Sequence, residues 1–449
     1  MNMRAWRPTT RRNWLVTFTG LARTLALAFA LFLLVTAAQA QPGGDDPITD
    51  EQKAAVLESA RRLVEQRAFA GGVSFATWEQ KLAERKDRID RATTVGAFSR
   101  EVNRLLNEYG ISHIDLVTPT MAQRQREDSM VGIGIRHSGF TGGPVTIDQI
   151  IKGGPAEKAG LKPGDVIQAV DGAPLGNVAM LRGEEGSKVV LEVKRGDEVF
   201  NIEVTRAKFS TRDPAELIKV NDETAMLVLP TFDRGYDRDS VENLFREAAQ
   251  YKSLIIDLRG NGGGAVTNLY HFLGMLLPRG AEFGTSVNKE VAEEYQRATG
   301  GDPADVVKVA EWHRRKWTVR RNAVPPFTGR VAVLINRASA SASEIATAAL
   351  VEVRDPPAIT VGTRTAGAVL VANDVSMPEG FRMRVPVSDY VTIKGRRLEG
   401  NPWVAQIQIQ TGFRRDSAIA SDRVVAAAVK ALAEVAAEEA NAALPEKKE

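Results

Sequence analysis

The sequence predicts a multidomain chain: a helical N-terminal region, a β-rich module and an α/β core. Length is the first indication, because 449 residues at 43% hydrophobic and 26% charged exceed what one core usually organises. The other two are changes of texture. Helical periodicity runs to about Glu108, and short glycine-punctuated strands fill 129–206. From about Glu216, apolar strand-type runs alternate with helical patterns.

The first 40 residues combine a basic start, an apolar run from Leu25 to Ala37 and Ala38-Gln39-Ala40. This is the pattern of a secretory signal peptide, with cleavage expected before Gln41. Thr10-Arg11-Arg12-Asn13-Trp14-Leu15 fits a twin-arginine export motif, or else two incidental arginines in a basic leader. An uncleaved leader would anchor the chain to a membrane. Arg23 interrupts the apolar stretch, however, and the run beyond it is only marginally long enough to span. The expected location is therefore periplasmic or secreted.

Composition removes several classes of function. Arg4, Arg7, Arg11, Arg12 and Arg23 lie in a leader without acids, so its loss takes the formal charge from +3 to −2. A nucleic-acid partner is not expected from a body so close to neutral. There is no cysteine, which excludes disulfides, thiolate nucleophiles and Cys-ligated metals. His113, His137, His271 and His313 show no paired metal-ligand spacing, so neither metal nor cofactor is expected.

Residues 41–48 read as a linker and 49–120 as the helical region. Thr49 or Asp50 caps a first helix whose apolar face is Ala54, Val56, Leu57, Ala60 and Leu63. A second helix carries Trp78, Leu82 and Ile89. A third carries Phe98, Val102, Leu105 and Leu106 and ends near Tyr109-Gly110, just before Ser112-His113.

The module spans 129–208. It contains Val131-Gly132-Ile133-Gly134-Ile135, a turn at Asp171-Gly172 and two alternating strands around Arg195-Gly196-Asp197, read as a hairpin. It resembles a PDZ domain. The resemblance implies that Gly132, Ile133, Gly134 and Ile135 offer backbone N–H groups to a peptide's terminal carboxylate, the peptide adding as a strand alongside.

The core spans 215–412. Strands are expected at Ala225–Pro230, Ser253–Leu258, Val331–Ile335 and Ala358–Val361, with helices over Asp239–Tyr251 and from Ser341 to about Val353. Residues 413–449 form an Ala-rich helix (417–444) and a charged tail.

Two constellations in the core carry chemistry. Asn336-Arg337-Ala338-Ser339-Ala340-Ser341-Ala342-Ser343-Glu344 lies between a buried strand and a helix. Small residues admit a substrate backbone, and a serine at a helix N-terminus sits where a developing anion is favoured. Ser-x-x-Glu from Ser341 also fits an ordinary capping box. In Asp257-Leu258-Arg259-Gly260-Asn261-Gly262-Gly263-Gly264 a strand ends in glycines, suited to an oxyanion hole or to a plain anion-binding turn. No Gly-Lys-Ser/Thr follows, so it is not a phosphate loop.

With a PDZ-like module ahead of them, these two segments resemble the C-terminal processing (tail-specific) peptidases and their tricorn-type relatives. The resemblance implies an α/β core of ββα units and a serine endopeptidase acting on proteins or peptides. Ser341 would be the nucleophile, and the N–H groups of Ala342 and of Gly263 or its neighbour the oxyanion hole. Asp257, Arg259 and Asn261 would shape the glycine loop. The processing branch uses a lysine base in a Gly-Lys-Gly segment, but here Gly367-Ala368-Val369 places Ala368 at that position. A Ser–Lys dyad is therefore excluded. Ser112-His113 resembles the tricorn-type pair that supplies the base, and Glu399 resembles the acid completing that relay. Gly-Asn-Pro-Trp-Val (400–404) departs from that family's Gly-Val-x-Pro-Asp run. His137, His271 and His313 are expected to be non-catalytic. The competing expectation is an inactive envelope scaffold that binds peptide C-termini.

Overall fold

The computed structural model describes residues 46–126, 129–138, 143–210, 213–410 and 419–442. The leader, most of the linker and the last residues of the tail lie outside these, and with them the expectations on cleavage, export and anchoring.

Helix α1 (Asp50–Arg67) begins at Thr49. Thr49 Oγ1 accepts the Gln52 N–H while Gln52 Oε1 accepts the Thr49 N–H, a closed capping box. Helices α2 (Trp78–Asp90) and α3 (Val95–Asn107) come next, then β1 (Asp115–Val117) and α4 (Pro119–Arg126). Their buried face, including Val56, Val64, Trp78, Phe98 and Leu105, is not closed by the helices alone. Leu370, Met377, Phe381, Met383 and Val385 complete the same core. The helical region expected over 49–120 is thus a unit of sequence whose packing is finished by residues far along the chain.

The module comprises β2 (Ser129–Gly132), β3 (Ile135–Ser138), β4 (Val145–Ile150), α5 (Pro155–Ala159), β5 (Val166–Val170), β6 (Ala173–Pro174), β7 (Lys188–Arg195), β8 (Glu198–Thr205) and β9 (Ala207–Ser210). Strand order is β3-β4-β5-β7-β8, with β6 on β5, and β2 pairs separately with β9. The β7–β8 register closes on Arg195↔Glu198 with Gly196 at φ 61°, the tight hairpin the sequence calls for.

The core opens with β10 (Glu216–Lys219), β11 (Thr224–Val228), α6 (Arg238–Ala248), β12 (Ser253–Asp257) and α7 (Val266–Leu273). An excursion comes next: β13 (Glu282–Asn288), α8 (Lys289–Thr299), α9 (Val306–Trp312) and β14 (Trp317–Thr318). The chain then returns through β15 (Arg330–Ile335), α10 (Ala342–Glu352), β16 (Ile359–Gly362), β17 (Val371–Ser376), β18 (Arg382–Thr392), β19 (Ile407–Gln408) and α11 (Arg423–Ala442).

The main sheet has the order β10-β11-β12-β15-β16-β19, parallel except for β10. Both its faces are covered, so β12 is buried at every position. Leu254 and Ile256 join the core beneath α6, α7 and α10, while Ile255 joins Val424, Val425, Ala428 and Leu432 of α11 on the opposite face. A second, antiparallel sheet runs β1-β18-β13-β14, with β17 also on β18. Arg384 of β18 pairs with Asp115 of β1 on one side and Asp374 of β17 on the other. This sheet, absent from the sequence expectations, carries the N-terminal segment to the core.

Candidate active site

Ser341 stands where β15 has ended and α10 begins, at φ 57° and ψ −119°. That backbone is costly for any residue but glycine and persists only where the surroundings over-determine it. Ser341 N donates to Ala368 O at 2.8 Å and to Glu344 Oε2 at 3.2 Å, and Ser341 O accepts the Glu344 and Ile345 N–H groups. The glutamate side of the capping pattern is therefore present. The Ser341 hydroxyl reaches the histidine, with Oγ 3.2 Å from His113 Nε2.

His113 is also at positive φ, 58°, at the turn between α3 and β1. Its Nδ1 lies 2.6 Å from Ser112 Oγ. Ser112 Oγ donates to Glu399 Oε2 at 2.8 Å, and Ser112 N donates to Glu399 Oε1 at 2.8 Å. One assignment of protons satisfies the chain: Ser112 O–H to Glu399, His113 Nδ1–H to Ser112 Oγ, and Ser341 O–H to His113 Nε2. Burial, then the Arg384 guanidinium, lowers the His113 pKa to about 4, against a smaller opposing effect of Asp374. The interposed Ser112 hydroxyl keeps Glu399 from contacting the ring directly.

The glycine loop lies against the nucleophile. A Cβ added at Gly263 (φ 91°) would meet Ser341 Cβ at 2.6 Å and Ala340 O at 2.7 Å, so no larger residue fits. The Gly263 N–H, expected to face an oxyanion, instead donates to Asn261 Oδ1 at 2.9 Å. Buried Asn261 also donates to Leu229 O, and its carbonyl accepts from Ala340 N and Ser343 Oγ. These bonds fix the side chain, which is why Gly263 contributes close approach here and its N–H is already engaged. Ala342 N opens α10, where first-turn N–H groups have no intrahelical acceptor. Arg259 is held by Asp257 and by Asp422 ahead of α11, with Nη2–Oδ2 distances of 2.7 and 2.8 Å.

Every residue assigned to the relay from sequence lies in one chain of contacts. Ala368 touches Ser341 through its backbone and brings only a methyl group. His271 bonds Tyr236 and Glu242, His137 lies on β3, and His313 comes directly after α9. In the module, Gly132 is paired with Ala207 inside β2, so the turn is confined to Ile133 and Gly134. Both carbonyls of that turn are engaged, by Ala156 N and Ile151 N. β3 lies at the end of its sheet order, where a strand can add. No sequence signal announces the bond from Val369 N to Glu399, or Arg384 standing by His113. For Glu344 the one signal is Ser-x-x-Glu, and it reads equally as a cap.

A serine at a strained strand-to-helix turn, backed by histidine, is the arrangement of a serine peptidase. The sequence model of Peptidase family S41 matches residues 223–409, and that of a PDZ domain matches residues 146–195. The chain is 27% identical over 361 residues to the chloroplastic C-terminal processing peptidase of Tetradesmus obliquus, covering 74% of this chain and 71% of that protein. It is 28% identical over 263 residues to the carboxy-terminal processing protease CtpA of Bacillus subtilis (strain 168), covering 56% of this chain and 50% of that one. The fold is similar to that of an S41 protease from Bacteroides fragilis NCTC 9343, with TM-score 0.51 at 17% identity, over 73% of this chain and 87% of the other. Residues 223–409 thus carry the sequence pattern of peptidase family S41, and residues 146–195 ahead of them that of a PDZ domain.

Proposed function

We propose that the chain is an exported serine endopeptidase in which Ser341 is the nucleophile, His113 the base, and Ser112 and Glu399 the groups that orient the base. The observation that carries this reading is the 3.2 Å approach of His113 Nε2 to Ser341 Oγ, at the head of a chain ending on Glu399. Ser341 Oγ attacks the scissile carbonyl carbon as its proton passes to Nε2. The Nδ1–H stays on Ser112 Oγ, whose own proton faces Glu399, so the imidazolium is stabilised through a hydroxyl. The Ala342 N–H at the start of α10 faces the developing oxyanion, with the glycine loop as the second wall. Nε2–H then protonates the leaving amine, and water releases the acyl group by the same steps. Protein or peptide substrates dock through the PDZ domain, a chain end adding beside β3. The leader directs the chain out of the cytoplasm.

A fluorophosphonate probe applied to wild type, Ser341→Ala and His113→Ala tests the assignment. Labelling should be lost with Ser341→Ala and fall at least about 100-fold with His113→Ala. Labelling that survives His113→Ala would point to another base. An unlabelled wild type that still binds peptides would favour the scaffold.

A further inference from the structure

Loop 365–369 is bonded to two buried carboxylates, Glu344 and Glu399. Glu344 lies in the first turn of α10 with no exposed surface. Its Oε1 accepts from Thr365 Oγ1 and from Gly367 N at 2.8 Å. Its Oε2 accepts from Ala368 N at 2.9 Å and from Ser341 N at 3.2 Å. The next N–H along the loop, that of Val369, donates to Glu399 Oε2 at 2.8 Å. Ala368 O accepts from Ser341 N, and Gly367 O from Gly400 N, so the loop is bonded in both directions to both sides. A capping role accounts for one of the four bonds to Glu344. It leaves the three bonds to the loop unexplained.

Three successive N–H groups are thus divided between the carboxylate behind the nucleophile and the carboxylate at the far end of the relay. Residues 366–369 are Ala, Gly, Ala and Val, with no side chain able to move a proton. Whatever this loop contributes, it contributes through its backbone.

We propose that Glu344 is a positioning residue: with loop 365–369 it clamps the nucleophile turn and Glu399 into one unit, which sets where Ser341 Oγ meets His113 Nε2. The inference rests on the catalytic roles proposed above. The clamp holds the strained Ser341 backbone from one side and Glu399 from the other. A shift at either end is therefore passed to the other as a misalignment of the relay.

Glu344→Gln in the full chain tests it, since the amide keeps the shape but turns an NH2 group toward N–H donors. With the protein still folded by its melting transition, kcat should fall about 10- to 100-fold with KM unchanged. The acid limb of the pH profile should stay in place, because burial, Arg384 and Asp374 set the His113 pKa. Thr365→Val removes one donor of the four and should give a smaller fall in the same direction. Amide hydrogen exchange supplies a readout independent of activity. Glu344→Gln and, separately, Glu399→Gln should each speed exchange at Gly367, Ala368 and Val369 together. Substitutions that each release only the amides they bond directly would overturn the clamp, as would an unchanged kcat in folded Glu344→Gln. An unlabelled wild type would sink the catalytic reading, while the exchange result would still decide whether the clamp exists.

Discussion

His113 combines a hydrogen-bonded ring with a pKa of about 4, lowered first by burial and then by Arg384. An imidazole contacted directly by a carboxylate would gain a counter-charge; here a hydroxyl stands between the two. The ring is neutral across the neutral range and available as a base. The acid limb of kcat/KM is therefore expected well below that of an ordinary histidine, near pH 4, and a pH–rate profile on a peptide substrate checks it. A limb near the unperturbed value of about 6.5 would contradict the buried geometry. Stability obeys the same linkage. Between the lowered folded value and the unfolded value, the unfolded chain binds more protons, so this group's contribution is complete above about pH 6.5 and is lost as pH falls toward 4.

The individual catalytic candidates are legible in the sequence because they occur in short motifs. Ser-Ala-Ser-Glu and Ser-His keep their neighbours whatever the fold. For the oxyanion hole, expected from Ala342 and from Gly263 or its neighbour, a run of glycines says that the backbone can turn, and not which N–H has already found an acceptor. Asn261 decides that, through bonds to Leu229 and Ala340, residues far from it in sequence.

At the scale of elements, α11 is tied to the glycine loop by charge as well as by packing. Asp422 accepts the Val424 and Val425 N–H groups at the start of the helix and bonds Arg259 beside the loop. Its carboxyl pKa is lowered although burial opposes this, because Arg259 and the two N–H groups favour the charged form. Asp422→Ala leaves a buried guanidinium with only Asp257, and the expected loss is about 3 kcal/mol in denaturant unfolding. A loss of a few tenths would mean that packing alone seats the helix. The parallel strands and their helices can be read from apolar runs between turn signals. The second sheet cannot. Around the start of β18, Phe381, Met383 and Val385 do alternate with Arg382 and Arg384 as in a half-buried strand, but nothing local says that it pairs with β1, β13 and β17, and two helices separate β13 from β14. β1 has three residues, too few for any pattern.

For the whole molecule, the PDZ domain behaves as an insertion. Ser129 and Ser210 are directly opposite in the β2–β9 pair, so the chain leaves and re-enters at one place. Replacing 129–210 by a short Gly/Ser linker should leave the rest folded and Ser341 still reactive toward the probe. Labelling lost from a folded excision variant would mean that the domain is required to complete the site. Removing the N-terminal helices should have the opposite effect, because Leu370, Phe381, Met383 and Val385 would lose their covering. That dependence cannot be read from the chain, since helices 50–107 look self-sufficient by periodicity.

The relay is also spread along the order of synthesis. Its hydrogen bonds join residues 228 and 287 positions apart. At about 5–20 residues per second, Glu399 leaves the ribosome roughly 15–60 s after Ser112. Throughout that interval a growing chain holds the proposed base without the proposed nucleophile, and then both without Glu399. On the roles proposed above, a chain that has not yet reached Glu399 cannot hold a complete relay.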